Sequence, residues 1–337
     1  MTRANRILAG LLVVQLVVAA LVFLPRTIKS GPQEAGPLFP GLEAGQVVSL
    51  TVADGEGNSV HLARRGIDWV FADADDFPTR EGSVPELLDK IVALKTDRLV
   101  TETAGSHKRL KVADDEFERR VDLELEDGTR LRLYVGSSPS FGVAHVRADG
   151  QNEVYLASDL SAQDVWADAS AWAERIFFTV PRDDVEAMTL ENGHGRLEFR
   201  REGEEWNMKG LEEGEVLNQV RVGTLLSRVT SVTLLEPLGK EARAEYGLDE
   251  PSAVVHLQTG AKTCTLTIGA PDAEGSSYVF HTSESPYYVR VNGYSVQDLV
   301  DWKREDFLQQ PTPAPTPLPG LTPTPEPATY PEPTPTP

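Results

Sequence analysis

The sequence predicts an α+β fold made of two tandem copies of one module, a mainly antiparallel β-sheet with a packed helix. Two observations support this: a helical pattern occurs twice, and the same hairpin patterns flank it each time. Each copy has about 130 residues, the usual size of a domain with its own core. The first copy is predicted at residues 42–178 and the second at residues 179–308. Because the chain has only 1 cysteine, neither core can rely on an intramolecular disulfide.

An amphipathic helix is predicted in each copy. Apolar residues follow the i, i+3, i+4, i+7 spacing of one helix face, and the pattern returns 138 positions later. Ser83 and Glu86 have the spacing of a capping box, in which Ser83 accepts from the backbone and Glu86 reaches back. The two apolar faces are Val84, Leu87, Leu88, Ile91 and Leu94 in the first copy and Val222, Leu225, Leu226, Val229 and Val232 in the second.

Three short strands are predicted before each helix. Gly-rich turns at residues 54–57 and 192–195 join the first two strands, since glycine readily adopts the positive φ of a tight hairpin. The third strand carries a single tryptophan, Trp69 in the first copy and Trp206 in the second. We interpret both as core anchors, because a large aromatic side chain supplies much of the buried area of a small module.

Four strands and a terminal helical piece are predicted after each helix. In the first copy a two-residue turn, Asp127 and Gly128, joins the first two strands; in the second the turn lies around Gly260 and is expected to hold one extra residue. Both hairpins end in a glycine, Gly136 or Gly269. The other strands are expected around residues 144–147, 154–156, 278–280 and 287–291, and the terminal pieces carry matched aromatics, Trp172 with Phe177 and Trp302 with Phe307.

The two ends of the chain differ in composition from the modules. Residues 7–24 are apolar apart from Gln15 and are long enough to span a bilayer as one helix. This predicts a single-pass anchor after a cytoplasmic N-terminus, residues 1–6; a cleaved signal peptide is the alternative, although its apolar region is normally shorter. Residues 25–41 form a linker, and the Pro/Thr-rich residues 309–337 are expected to be a disordered, extended tail.

This arrangement predicts a cell-membrane protein whose two modules lie outside the cytoplasm. The formal net charge is -20, so the surface repels nucleic acid and anionic lipid headgroups and suits a basic protein or cations. The expected partners are therefore the membrane, through residues 7–24, and another envelope protein. No nucleic acid partner is expected.

The densest acidic cluster is Asp73, Asp75 and Asp76, which has the spacing at which a calcium loop starts. Such a loop needs a glycine at its sixth position and an acidic residue at its twelfth, where Val84 stands instead. Cys264 is in register with Leu131 on the apolar face of its hairpin, which favours a buried structural thiol over a nucleophile.

The remaining motifs for catalysis or metal binding are also incomplete. Residues 136–142 are rich in glycine and serine, but they contain no Gly-x-Ser-x-Gly. The 6 histidines are scattered singly and have no zinc-ligand spacing. We therefore expect no catalytic residue, no metal site and no cofactor, and we assign no binding residue. The histidines are His61, His107, His145, His194, His256 and His281.

Several short motifs carry a resemblance to a known family. The segment Glu245-Tyr246-Gly247-Leu248-Asp249-Glu250-Pro251 is followed by an alternating strand, by Leu266-Thr267-Ile268-Gly269 and by Tyr287-Tyr288-Val289. With the opening Leu38-Phe39-Pro40-Gly41-Leu42 and the region of Trp69, the chain resembles the bacterial domain-of-unknown-function family numbered 4340 between anchor and tail. The resemblance implies a single-pass membrane protein with an exported domain, in a family often encoded beside ABC transporters related to gliding-motility systems. It implies no catalytic residue.

Two features have no counterpart between the copies, and we expect any specific contact surface there. One is the acidic cluster at residues 73–76. The other is Tyr246-Gly247-Leu248 with Pro251, because Leu110-Lys111-Val112 stands at the matching place.

Three functions follow as hypotheses. The first is a membrane-anchored extracytoplasmic binding or scaffold protein, an accessory component of an ABC-type envelope transport system that contacts its permease. The alternative is a cell-surface structural or adhesion protein whose Pro/Thr tail spans the wall. The third is a hydrolase with an unrecognised site.

Overall fold

The structure is a computed structural model that describes residues 35–309 except Ala261. The predicted anchor and nearly all of the predicted tail lie outside these residues. Within the described part of the chain, no helix is both long and apolar enough to cross a membrane.

Contacts between Cα atoms divide the chain into two compact units. Unit 1 holds the chain up to Phe177 and two later segments, Leu234–Glu241 and Tyr287–Arg290. Unit 2 holds Phe178–Thr233, Ala242–Pro286 and the chain from Val291 onward.

The described chain is a mainly antiparallel α+β protein with two nine-stranded sheets and few helices, which confirms this part of the predicted fold class. The first sheet has the order β4-β3-β2-β1-β6-β7-β8-β9-β5. Its strands are β1 Val47–Asp54, β2 Ser59–Arg65, β3 Asp68–Phe71, β4 Phe77–Pro78, β5 Leu99–Thr101, β6 Arg119–Leu125, β7 Arg130–Val135, β8 Val143–Ala148 and β9 Val154–Ser158.

The second sheet has the order β10-β14-β18-β17-β16-β15-β11-β12-β13. From β3 the first sheet runs through β2, β1, β6, β7, β8 and β9 to β5, and from β13 the second runs through β12, β11, β15, β16, β17 and β18 to β14. The two sheets thus share one strand order. The second sheet contains β10 Ile176–Thr179, β11 Val185–Asn192, β12 Gly195–Glu202, β13 Glu205–Met208, β14 Ser231–Gly239, β15 Ala253–Thr259, β16 Lys262–Pro271, β17 Ser277–Thr282 and β18 Tyr288–Asn292.

Both predicted amphipathic helices are present, as α1 Ser83–Val92 and α3 Gln219–Thr230. Each buries the four apolar residues of its predicted face that lie within the helix. Burial of one such side chain stabilises the fold by roughly 1.5–3 kcal/mol relative to exposure. Val232, predicted on the second helix face, instead lies buried in β14. The other helices are α2 His107–Leu110 and α4 Gly293–Asp301.

The predicted capping box at α1 is wrong. Gly82, with φ of 78°, is the N-cap, so Ser83 is already the first helical residue. Ser83 Oγ donates to the Arg80 carbonyl oxygen at 2.7 Å, and the Glu86 N–H donates to the Gly82 carbonyl oxygen at 3.0 Å. The glycine reaches the left-handed conformation at no steric cost and replaces a side-chain cap.

The sequence patterns missed β5 and β14, the strands that follow the two helices. The apolar spacing of α3 continues into β14 without a turn residue, so the period alone does not mark the boundary. The terminal pieces also differ. The second copy has α4, whereas the first has only the 3-10 turn Ala169–Ala171, and Phe177 lies in β10 rather than in a helix.

The hairpin lengths differ from the predicted ones. Four residues, 126–129, separate β6 from β7. The Leu125 N–H donates to the Thr129 carbonyl oxygen at 2.9 Å, and Gly128 has φ of 82°, which is typical of a three-residue turn closed by a left-handed glycine. Thr259 pairs with Lys262 in the second copy, so that connection is shorter, and the expected extra residue is absent.

A bidentate ion pair holds the end of the described chain within unit 2. Arg304 donates to both carboxylate oxygens of Glu215, and Leu217 forms a β-bridge with Leu308. The hydrogen bond from Arg304 lowers the pKa of Glu215 from 4.5 to about 2. Because the folded pKa lies below the unfolded value, the pair stabilises the fold above pH 4.5, and this contribution is lost as the pH falls towards 2.

We therefore expect Glu215→Gln to lower the melting temperature at pH 7, and we expect its difference from the parent to shrink as the pH falls from about 4.5 to about 2. Thermal unfolding of both proteins between pH 7 and pH 2 measures this difference. Glu213→Gln, the same change at an exposed neighbour, is the control and should have little effect. A difference that stays constant with pH would contradict the assignment.

Candidate functional site

The acidic turn, residues 73–76, joins β3 to β4. Asp75 and Asp76 both adopt the left-handed conformation, with φ of 52° and 59°, which aspartate tolerates better than most residues. Each carboxylate has its own partner. Asp73 Oδ1 lies 3.3 Å from His61 Nδ1, Asp76 Oδ1 accepts from Arg65 Nε at 3.1 Å, and Asp75 Oδ2 accepts from the Lys240 N–H at 2.6 Å.

The acidic turn contacts two later segments of unit 1, Leu234–Glu241 and Tyr287–Arg290. The Tyr287 hydroxyl donates to the Asp76 carbonyl oxygen at 2.9 Å, and Lys240 Nζ lies 4.7 Å from the centre of the Tyr287 ring. Gly239 has φ of 91°, and a Cβ there would meet Asp75 Oδ2 at 2.5 Å. The acidic turn therefore packs against two later segments of its own unit.

The carboxylates of the acidic turn do not converge on one point. Among the described residues, no group of three or more His, Cys, Asp or Glu side chains is arranged to hold a metal ion. Each aspartate of the acidic turn instead forms its own hydrogen bond or ion pair with a different partner.

The motif Tyr246-Gly247-Leu248 has a structural counterpart after all. Gly247 has φ of 62° and ψ of 30°, and Lys111 has φ of 59° and ψ of 38°. The residues before them, Tyr246 and Leu110, are both buried. The prediction that this motif is unmatched in the first copy is therefore wrong, because the two segments have the same backbone shape despite their different side chains.

Both turns press against a glycine of the following hairpin, Gly136 directly after β7 and Gly269 within β16, which continues to Pro271. A Cβ on Gly136 would lie within 3.0 Å of the Leu110 carbonyl oxygen, and a Cβ on Gly269 would lie equally close to the Tyr246 carbonyl oxygen. Any side chain at either glycine would push the turn away from the sheet. This contact explains the motif as scaffold.

A groove of about 870 Å³, here called the first-sheet groove, lies on the first sheet within unit 1. Leu50 and Leu123 are buried on one face of β1 and β6, so the alternating neighbours face the other side. The volume is in the range of small-molecule sites. Polar side chains that line it include Ser49, Thr51, His61, Asp122, Glu124, Arg130 and Arg132.

Asp122 and Glu124, two of the carboxylates that line the first-sheet groove, form ion pairs with arginines. Asp122 accepts from Arg120 Nε at 2.9 Å and also from Arg132 Nε. The hydrogen bond to Asp122 raises the pKa of Arg132 above its ordinary value. Glu124 lies 3.5 Å from Arg130. Sequence reasoning missed this network, because its members become neighbours only through the pairing of β6 with β7.

Ser49, His61 and Asp73 form a line at the edge of the first-sheet groove. Ser49 Oγ lies 3.1 Å from His61 Nε2, and His61 Nδ1 lies 3.3 Å from Asp73 Oδ1, which is the connectivity of a Ser-His-Asp triad. Two features distinguish this line of residues from a catalytic triad. The Asp73 side chain is 81% exposed, so water screens it, and Ser49 lies in a strand paired on both sides, where the ladder uses the N–H groups that an oxyanion hole needs.

The loop at residues 136–142 also places a serine beside a histidine. Ser137 Oγ lies 3.1 Å from His145 Nδ1, but that nitrogen is also 2.7 Å from the Ser137 carbonyl oxygen. A carbonyl only accepts, so Nδ1 carries the proton and cannot remove one from Ser137. The pair holds the loop in place.

Cys264 is buried, as the sequence pattern predicts. Burial raises the pKa of its thiol, which disfavours the thiolate needed of a nucleophile. His281, on the neighbouring strand, has its pKa lowered by burial. Cys264 thus lies in the interior of unit 2, and His281 is half-buried.

The Lys111 turn leads to a stability prediction. A non-glycine residue in the left-handed conformation costs about 1 kcal/mol, so we expect Lys111→Gly to be more stable than Lys111→Ala by about that amount. Both variants lose the exposed ion pair with Glu116, so their difference isolates the backbone effect. Denaturant unfolding of the two variants measures it; equal stabilities would mean that Lys111 is not strained.

Comparison with known proteins gives one result. Residues 69–241 match the model of the family described as Domain of unknown function (DUF4340), which is just over half of the 337 residues. The match includes the acidic turn, Lys111 and Gly136 and ends before Tyr246. No curated protein and no solved structure matches the chain. From this match, the chain belongs to the DUF4340 family.

Proposed function

We propose that the chain is a membrane-anchored extracytoplasmic binding or scaffold protein without catalytic activity. The observation that carries this proposal is the pairing within the first-sheet groove. Asp122, Glu124 and His61 each have a protein partner, so the groove offers a polar surface rather than an activated nucleophile with its base. Such a surface suits recognition.

The proposed anchor is residues 7–24, with both units outside the cytoplasm. The first described residues support a short tether. The Leu38 N–H donates to the Leu94 carbonyl oxygen at 2.8 Å, and the Thr96 N–H donates to the Gly36 carbonyl oxygen at 2.9 Å. Residues 25–35 span at most about 40 Å when fully extended, so unit 1 stays near the bilayer in this proposal.

The proposed partner is the permease of an ABC-type envelope transport system, to which the chain is an accessory component. Membership of the DUF4340 family supports this through the genomic setting that the resemblance implies. The net charge of -20 favours a basic surface on that partner. The competing function is a surface structural or adhesion protein whose tail, residues 309–337, spans the cell wall.

A co-purification experiment tests the partner. We expect an affinity-tagged full chain, extracted from its native membranes in mild detergent, to retain an ABC permease, whereas an untagged strain gives the background. Deletion of residues 310–337 should leave both the membrane fraction and this co-purification unchanged. Loss of surface localisation on deletion, with no transporter component in the parent sample, would favour the structural or adhesion function.

A hydrolysis assay tests the absence of catalysis at Ser49. We expect the parent and Ser49→Ala to show the same background rate with p-nitrophenyl acetate, because Ser49 has no oxyanion donors and Asp73 is screened by water. Asp73→Asn should also leave the rate unchanged. A Ser49-dependent rate would instead establish a hydrolase and overturn this part of the proposal.

A further inference from the structure

The scaffold accounts for four of the 5 tryptophans. Trp69 and Trp206 are buried at matching positions on β3 and β13, and Trp172 and Trp302 are buried in the matching terminal pieces. The fifth, Trp166, is 43% exposed. Tryptophan is enriched at binding interfaces, because it combines a large apolar surface with a polar N–H group.

Trp166 lines a second groove of unit 1, here called the Trp166 groove, with a volume of about 480 Å³. The groove lies between α1 and residues 163–175. Its walls are fixed from both sides: Trp172 Nε1 donates to the Trp166 carbonyl oxygen at 2.8 Å, and Lys90 Nζ donates to Asp164 Oδ1 at 2.5 Å. These two hydrogen bonds therefore fix the backbone that carries the Trp166 ring.

The ion pair at this groove belongs to the scaffold, whereas Trp166 does not. Unit 2 has the corresponding pair, Arg228 with Asp298 at 2.6 Å, between α3 and α4. In unit 1 no α-helix follows β9 at the place of α4; turns occupy it instead. The Trp166 groove is thus a local departure of the first copy from the shared plan.

The charges that line the Trp166 groove cancel. Arg80, Lys90 and Arg175 are basic, and Glu86, Asp164 and Asp168 are acidic, so the groove is neutral in a chain of net charge -20. Among the described residues, the side chains of Glu86, Gln163 and Arg175 make no hydrogen bond or ion pair. They offer a carboxylate acceptor, an amide that both donates and accepts, and a guanidinium donor.

We propose that the Trp166 groove binds a neutral saccharide. A sugar ring has an apolar C–H face that stacks on an indole, and its edge carries hydroxyl groups that both donate and accept hydrogen bonds. Trp166 supplies the flat apolar surface, and Glu86, Gln163 and Arg175 supply acceptors and donors around it. The volume is in the range that holds a small ligand of this kind.

The charge balance argues against other ligands for an exposed tryptophan. A cationic peptide would favour an acidic groove, whereas this one carries as many basic as acidic groups. A nucleic acid is repelled by the acidic chain. The proposal does not rest on membrane attachment or on a transporter partner, because binding is measured on the purified chain alone.

Titration of the full chain with a neutral oligosaccharide tests the proposal. The probes are the trimer of N-acetylglucosamine and maltotriose, with trilysine as the peptide comparison, in a detergent that has no sugar headgroup. We expect at least one trisaccharide to change the tryptophan fluorescence and to give saturable heat in calorimetry, and trilysine to give neither. Trp166→Ala should weaken this binding at least about tenfold, as expected for a central aromatic contact.

Two further variants keep the test decisive. Phe141→Ala removes another exposed aromatic side chain of unit 1, 96% exposed and outside the groove, and should leave binding unchanged. Arg175→Ala should weaken binding several-fold. If Trp166→Ala lowers the melting temperature, its loss of binding could come from unfolding, and the Arg175→Ala result then tests the proposal. Absence of binding by both trisaccharides, binding that survives Trp166→Ala and Arg175→Ala, or Trp166-dependent binding of trilysine would each overturn the proposal.

Discussion

Both units depend on a backbone carbonyl that packs against a strand where no side chain fits. The Leu110 carbonyl oxygen occupies the space that a Cβ of Gly136 would need, and the Tyr246 carbonyl oxygen does the same at Gly269. This contact holds the segment around Leu110 or Tyr246 against the otherwise polar face of its sheet. In unit 1, Leu110, Val112 and Tyr134 form a small apolar cluster there. The part of the face beyond that segment stays uncovered, and the first-sheet groove lies there.

The turn that delivers this carbonyl must be left-handed, and the two copies meet the requirement differently. Gly247 adopts the conformation freely, while Lys111 holds it with a side chain attached. Asp75 and Asp76 are held in the same region by hydrogen bonds from the Lys240 backbone and the Tyr287 hydroxyl. Left-handed conformations of non-glycine residues persist only where several surrounding contacts hold them. At these positions the strain is therefore explained by tight packing and is not by itself evidence of a functional site.

The electrostatics of unit 1 support the proposed recognition function. Two carboxylates of the first-sheet groove, Asp122 and Glu124, form ion pairs with arginines. The Ser49, His61 and Asp73 line has triad connectivity without a shielded aspartate or an oxyanion hole. The Trp166 groove is locally neutral in an acidic chain, which selects ligands by shape and hydrogen bonding rather than by charge.

The sequence alone determined the local elements: the two amphipathic helices, the Gly-rich hairpins and the buried, matched tryptophans. These depend on residues close together in the chain, whose spacing reports burial directly. Only the tertiary structure decided that β5 and β14 close the shared strand order, that Lys111 and Gly247 have one backbone shape, and that Trp166 stays exposed. Those outcomes depend on contacts between residues far apart in sequence and on how closely separate segments pack together. The spacing of neighbouring residues along the chain contains no information about either.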